Sequence, residues 1–276
     1  MHEEDRYPLI EGLVLGLSRI SDVRQRSYAL AERLKEVEIE LAVDVLGVIW
    51  EKVLESDEDF VRLYNGLIVT GILPEILGPG RMSELVDKAQ SRGEYSLVAI
   101  LLDLPREGSR ELPYQPFLDG ALKETPLGMR KALARRPDFR LIQRIARDQD
   151  HRVIRQLLDN PRLTEKDVVM IGATRPTSPK VLATIYDHPK WISRYSVKKV
   201  VALSPYSPLS LALRLLAFMS LEDLEQVRTS PELHGVVQQQ AERIIEQKHH
   251  LSFRRRERPL SPDTGPCGEE TGQPMQ

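Results

Sequence analysis

The residue types that most often carry chemistry are few in this chain, and they stand apart. Histidines occur at positions 2, 151, 188, 234, 249 and 250, and none has a second ligand three or four residues away in the arrangement of a helical metal site. The single cysteine, Cys267, lies in a Pro- and Gly-rich segment with no base close in sequence. The sequence therefore predicts no metal, no cofactor and no nucleophilic catalysis, so we expect a protein that is not an enzyme.

Two glycine sets resemble phosphate-binding loops only superficially. Neither Gly12–Gly16 nor Gly78-Pro79-Gly80 has the glycine spacing or the strand-then-helix context that phosphate binding requires. We interpret the first set as close packing and the second as a turn.

Basic residues form the most informative series in the sequence. Arg130 and Lys198 stand seven residues before a proline, and Lys131, Arg155 and Lys199 stand six residues before one. In a repeat protein, equivalent positions line up on one surface, so these cations are expected to form a ladder beside the buried face. Such a ladder can bind an acidic protein or follow a phosphate backbone. The candidate partner-binding residues are Arg130, Lys131, Arg135, Arg136, Arg140, Arg155, Lys198 and Lys199.

Charge is unevenly distributed along the 276 residues. Residues 1–122 carry 13 basic and 23 acidic side chains, whereas residues 123–199 carry 18 and 8. An acidic partner for the basic block, attraction between the two segments, and simple solvation of helix surfaces all fit these counts.

The composition predicts an all-α protein, because Leu, Ala, Glu and Arg are abundant while aromatic residues make up 5% of the chain. Helical patterns are expected at residues 8–20 and 22–56, the latter as one helix or as two joined near Gly47. We predict an acidic helical N-terminal region (1–120), a basic helical-repeat region with a C-terminal capping helix (121–250), and a disordered tail (251–276).

An internal repeat becomes visible when Pro137, Pro161, Pro176 and Pro205 are aligned. Each proline forces a corner, because it cannot continue the preceding helix. Ser178 and Ser207 each precede another proline and are expected to cap the next helix. Apolar residues recur eight residues before the aligned prolines (Met129, Val153, Val168 and Val197) and three before them (Ala134, Leu158, Ala173 and Ala202).

These Ala-x-x-Pro corners over about residues 125–218 resemble the leucine-rich repeat variant family and, more loosely, HEAT-like repeats. The resemblance implies a right-handed-type α-solenoid of short helix pairs, here following a helical N-terminal region. Some members of that family bind an iron–sulfur centre through a cysteine cluster, which this sequence lacks.

The pattern as a whole predicts a cytoplasmic, non-enzymatic scaffold or adaptor that binds another protein with an acidic surface through the repeat region. The alternative is a nucleic-acid-binding α-solenoid that uses the basic ladder within residues 130–199. No membrane insertion is expected, because no apolar run approaches the length of a bilayer-spanning helix.

Overall fold

The computed structural model describes residues 20–102 and 124–257, together with residues 10, 12, 16, 17 and 122. These residues form 15 α-helices, one π-helical turn and one 3-10 turn, and they include no strand. The predicted all-α class is therefore confirmed. Most of the first predicted helix, the predicted boundary between the two regions near residue 120, and residues 258–276 of the predicted tail lie outside the described residues.

The N-terminal helices depart from the sequence pattern at one point. Asp22 caps the first of them by accepting the Gln25 N–H at 2.8 Å. The break in the following pattern, however, falls at Val37 and not at Gly47. Arg81 stabilises the break at this position, because its guanidinium donates to the carbonyl of Val37 that the break leaves without a partner in the helix. The elements are α1 (Val23–Glu36), α2 (Ile39–Leu54), α3 (Glu58–Tyr64), the π-helical turn (Asn65–Val69), α4 (Ile72–Ser91, kinked at Gly78) and α5 (Tyr95–Leu101).

The second part of the chain consists of short helices followed by one long helix. They are α6 (Leu127–Ala134), α7 (Phe139–Ile145), α8 (His151–Leu158), α9 (Glu165–Ala173), α10 (Pro179–Tyr186), α11 (Pro189–Ile192), α12 (Tyr195–Ala202), α13 (Leu209–Leu215), the 3-10 turn (Leu216–Phe218), α14 (Leu221–Thr229) and α15 (Gly235–Glu257).

The aligned prolines do mark helix ends. Helices α6, α8, α9 and α12 each end three residues before their proline. In space they fall into two contacting pairs, α6 with α8 and α9 with α12. Val153, Val168 and Val197 are fully buried as predicted, whereas Met129 is 55% exposed and Ala173 is also exposed. Met129 belongs to the first helix of the set, whose main described neighbours are α7 and α8 alone.

Polar side chains tie successive corners together. Asn160 donates to the carbonyl of Ala134 at 2.8 Å, and Trp191 donates to the carbonyl of Leu158 at 2.8 Å. The carbonyls of Ala134 and Leu158 have no partner within their own helices, because they lie at the helix ends. Each one is therefore satisfied by a side chain from the next corner along the chain. Ser178 caps α10 as predicted, but Ser207 does not cap α13, because its hydroxyl donates to the carbonyl of Val201 at 2.7 Å.

The C-terminal helices pack on the N-terminal ones. Helix α13 contacts α5, and α15 contacts α2 and α5. Trp50 donates to the Gln247 side chain at 3.0 Å across this contact. Helix α15 continues to Glu257, past the predicted tail start at Leu251, because Leu251 is partly buried against the core. The buried apolar residues of the two parts form one continuous cluster.

Within the described ranges, no single helix is both long and apolar enough to cross a bilayer. The pair Glu58–Val69 and Ile72–Ser91 reaches that length and composition only together, and it is bent by 62° between its two helices.

Candidate binding groove and basic surface

Arg130, the first member of the predicted ladder, is held inside the fold. Its Nη1 atom lies 2.7 and 2.5 Å from the two carboxylate oxygens of Asp148, whose side chain has no exposed surface. Asp148 also accepts the backbone N–H of Asp150 at 2.9 Å. Arg130 therefore neutralises a buried carboxylate in its own region and is not presented to a partner.

Lys198 is buried, contrary to the exposed position predicted for it. Its side chain packs on Phe218, with the ammonium 3.7 Å from the ring centroid, and the residue is 6% exposed. The local sequence pattern could not predict this burial, because Phe218 lies on a separate 3-10 turn that packs against α12 through a tertiary contact. Burial lowers the pKa of Lys198 to about 8.

We expect Lys198→Met to raise the free energy of unfolding at neutral pH by about 1–3 kcal/mol, because the variant buries no ammonium group. The folded-state pKa lies below the ordinary value of 10.5, so wild-type stability rises as the pH increases from about 8 to 10.5. The variant should lack that rise. Urea unfolding across this pH range tests both points, with Lys166→Met, at an exposed position on α9, as the matched control. Equal pH dependence of stability in wild type and Lys198→Met would contradict the lowered pKa of a buried Lys198.

Two further ladder residues have partners in the fold. The ammonium group of Lys199 lies 2.6 Å from Asp223 at the start of α14, and this hydrogen bond raises the pKa of Lys199. Arg135 donates to the Gln156 side chain at 2.7 Å, so it joins α6 to α8. Both side chains nevertheless remain partly accessible.

The remaining ladder residues lie on the surface. Arg136, Arg140 and Arg155 are exposed and Lys131 is partly exposed, and none of them makes an ion pair with a described residue. Phe139, beside Arg140, is 64% exposed. The eight predicted residues thus divide into three groups. Arg130 and Lys198 are largely enclosed, two side chains are bonded within the fold, and four are available to an anionic partner.

A groove that the sequence did not predict lies along α9. One half, of about 480 Å³, lies between the segment preceding α8 and the end of α9, and its lining includes Arg147, Gln149, Met170, Ala173, Arg175 and Pro176. The other half, of about 280 Å³, lies between α9 and α12, and its lining includes Val169, Gly172, Ala173, Lys199, Val200, Leu203 and Ser204. Ala173 and Arg175 line both halves, so the two are adjoining parts of one groove.

Small residues on α9 shape this groove. A Cβ atom added at Gly172 would lie 2.8 Å from a methyl group of Val200, so α9 and α12 approach closely at this point. Ala173, the next residue, is exposed and adds little bulk between the two halves. The sequence signal that could have indicated this groove is the pair of consecutive small residues, Gly172-Ala173, at the end of a helix. The repeat alignment instead assigned Ala173 to a buried face.

The polar groups of the groove are predominantly cationic. Its lining contains Arg147, Arg175 and Lys199 and no carboxylate. Arg175 is paired with Glu232, and Arg147 makes no ion pair within the described part of the chain. Ser204 is buried, and its hydroxyl has no hydrogen-bond partner there. The groove therefore combines an apolar surface with positive charge and one unsatisfied hydroxyl.

No cluster of three or more metal-ligating side chains occurs in the portion of the chain that the structure describes. Comparisons with protein-family models, curated proteins and solved structures find no match to this chain.

Proposed function

We propose that this chain is a non-enzymatic scaffold or adaptor of the cytoplasm that binds another protein, with the groove along α9 at the centre of its binding surface. The observation that carries the proposal is the groove itself. Partly exposed apolar side chains, including Met170 and Leu203, lie there between cations. A surface that is apolar at its centre and polar at its edge is typical of protein recognition sites.

The order of helix contacts supports an α-solenoid as the scaffold for this surface. Contacts run from α6 to α8 and on to α10, and a second set joins α9 to α12. Ser196 of α12 donates to Glu165 of α9 at 2.7 Å, so polar bonds accompany this second set as well. We interpret these helices as a short repeat array of the leucine-rich repeat variant or HEAT-like kind, in which neighbouring units complete each other's core.

Site-specific photo-cross-linking tests the proposal. A photoreactive phenylalanine derivative replaces Met170 in the groove or, as a control, Tyr28 on α1, which is also exposed. In the cells that make this protein, we expect Met170 to give a discrete cross-linked protein that Tyr28 does not give. The product should be lost when Arg147→Glu is added. Identical products from both positions, or no protein product from Met170, would contradict the proposal.

Nucleic-acid binding is the second candidate, and the exposed side chains of Arg136, Arg140 and Arg155 together with the exposed ring of Phe139 favour it. Arginine side chains bind phosphates, and an exposed aromatic ring can stack on a base. Duplex DNA and single-stranded RNA, titrated by fluorescence anisotropy over a salt series, distinguish this candidate. If it holds, binding weakens steeply with salt and is lost in Arg135→Glu/Arg136→Glu. If it does not, wild type and variant both fail to bind at low salt.

A further inference from the structure

We infer that the groove takes an acidic amphipathic helix of a partner protein, seated against α9 and α12 with its carboxylates toward Arg147 and Lys199. The inference rests on the proposed function and specifies the chemistry of the partner. Three features lead to it: the helical walls of the groove, the sign of its charge and the unsatisfied hydroxyl of Ser204.

The walls of the groove favour a helical occupant. Val169, Met170 and Ala173 line the groove along α9. Val200 of α12 and Leu203, the residue that follows α12, line its other side. Side chains spaced in this way form ridges, and the ridges of a third helix can pack between them. Addition of a strand, the other common mode of peptide capture, needs a free sheet edge, and residues 20–102 and 124–257 contain no strand.

The charge of the groove favours an acidic occupant. Arg147 stands at one end without an ion-pair partner among the described residues, and Lys199 stands toward the other end. Lys199 is paired with Asp223 but keeps 38% of its side chain exposed, so it can bind a second carboxylate. A basic helix would bring its own cations against these groups, and the repulsion would oppose binding.

Ser204 adds a polar contact at the α12 side. A buried hydroxyl without a partner is unfavourable, and a hydrogen-bonding group supplied by the ligand would relieve that cost. Ser204→Ala is therefore expected to weaken binding of the helix by about 3- to 10-fold while the unbound protein remains as stable as wild type or becomes more stable.

The test uses two synthetic peptides of about four helical turns (~14 residues). Both carry Leu at i, i+3, i+4 and i+7. One has Glu and the other has Lys at every flanking position. The full-length protein is labelled with ¹³C on its six methionine methyl groups. We expect the Glu peptide to shift the Met170 signal in methyl NMR spectra and to bind at least ~10-fold more tightly than the Lys peptide, as one charge-paired contact predicts.

Charge reversal at two arginines separates a local contact from general attraction. Arg147→Glu should weaken binding of the Glu peptide by ~10-fold or more. Arg136→Glu is an equal change of net charge outside the groove, and it should weaken that binding by less than ~3-fold. The inference is overturned if the two peptides bind equally, if the two variants act equally, or if ~1 mM Glu peptide leaves the Met170 signal unmoved. A protein cross-linked from Met170 would still support the proposed function in each of these cases.

Discussion

Tyr64→Ala is expected to lower the free energy of unfolding by about 3–5 kcal/mol, the usual cost of removing a large buried aromatic ring. The Tyr64 ring is fully buried, with its centroid 5.4 Å from that of Phe218 and 6.1 Å from that of Trp50. Its hydroxyl donates to the carbonyl of Arg214 at 3.0 Å. The substitution therefore removes a contact between α3 and the C-terminal helices in addition to leaving a cavity.

Urea unfolding gives this free energy, with two variants as references. Tyr64→Phe keeps the ring and loses only the hydrogen bond, so we expect a loss of about 1–2 kcal/mol. Tyr28→Ala removes an exposed tyrosine and should change stability by less than about 0.5 kcal/mol. A loss below about 1 kcal/mol for Tyr64→Ala would mean that the ring is not packed between the two parts of the chain.

The two tryptophans report on the two parts separately, since Trp50 lies in α2 and Trp191 in α11. In single-tryptophan variants made with Trp→Phe, Tyr64→Ala should shift the unfolding midpoints of both probes together, because the buried cluster runs through both parts. A shift confined to Trp50 would show that the two parts unfold independently.

The helices of the repeat region could be located from sequence because prolines act locally. Every helix that precedes an aligned proline ends three residues before it, in keeping with the inability of proline to continue a helix. The alignment of the prolines did not, however, predict which of those helices contact each other. Pro176 and Pro205 share a Ser-Pro turn that Pro137 and Pro161 lack, and the structure indeed pairs α9 with α12 and α6 with α8. The single alignment of all four prolines concealed this division.

Features that depend on contacts between distant residues could not be predicted from the sequence. The break at Val37 is stabilised by Arg81, about 40 residues away along the chain. Lys198 was placed on an exposed ladder because its spacing matched that of Arg130, yet both side chains are largely enclosed by residues that the local pattern does not contain. Arg136, Arg140 and Arg155 were expected on the surface and lie there. Periodicity thus located the helices, but long-range contacts determined which cations remain accessible.

Arg130→Met is expected to lower the free energy of unfolding by about 3–5 kcal/mol, because it leaves the buried carboxylate of Asp148 without its counter-ion. The two Arg130–Asp148 contacts of 2.5 and 2.7 Å would be lost, and among the described residues only the backbone N–H of Asp150 would remain to stabilise the charge. Arg135→Met, at the residue that caps the C-terminal end of the same helix, removes an exposed hydrogen bond to Gln156 and should cost about 1 kcal/mol or less. Thermal and urea unfolding of the two variants measure the difference.

The double variant Arg130→Met/Asp148→Leu distinguishes an unpaired charge from lost packing. Removing both members of a buried ion pair is often neutral or stabilising, so the double variant should recover most of the stability that Arg130→Met loses. If it recovers none, the packing of the arginine side chain itself stabilises α6 against α8. If Arg130→Met costs no more than Arg135→Met, Arg130 is not committed to Asp148 and returns to the set of cations available to a partner.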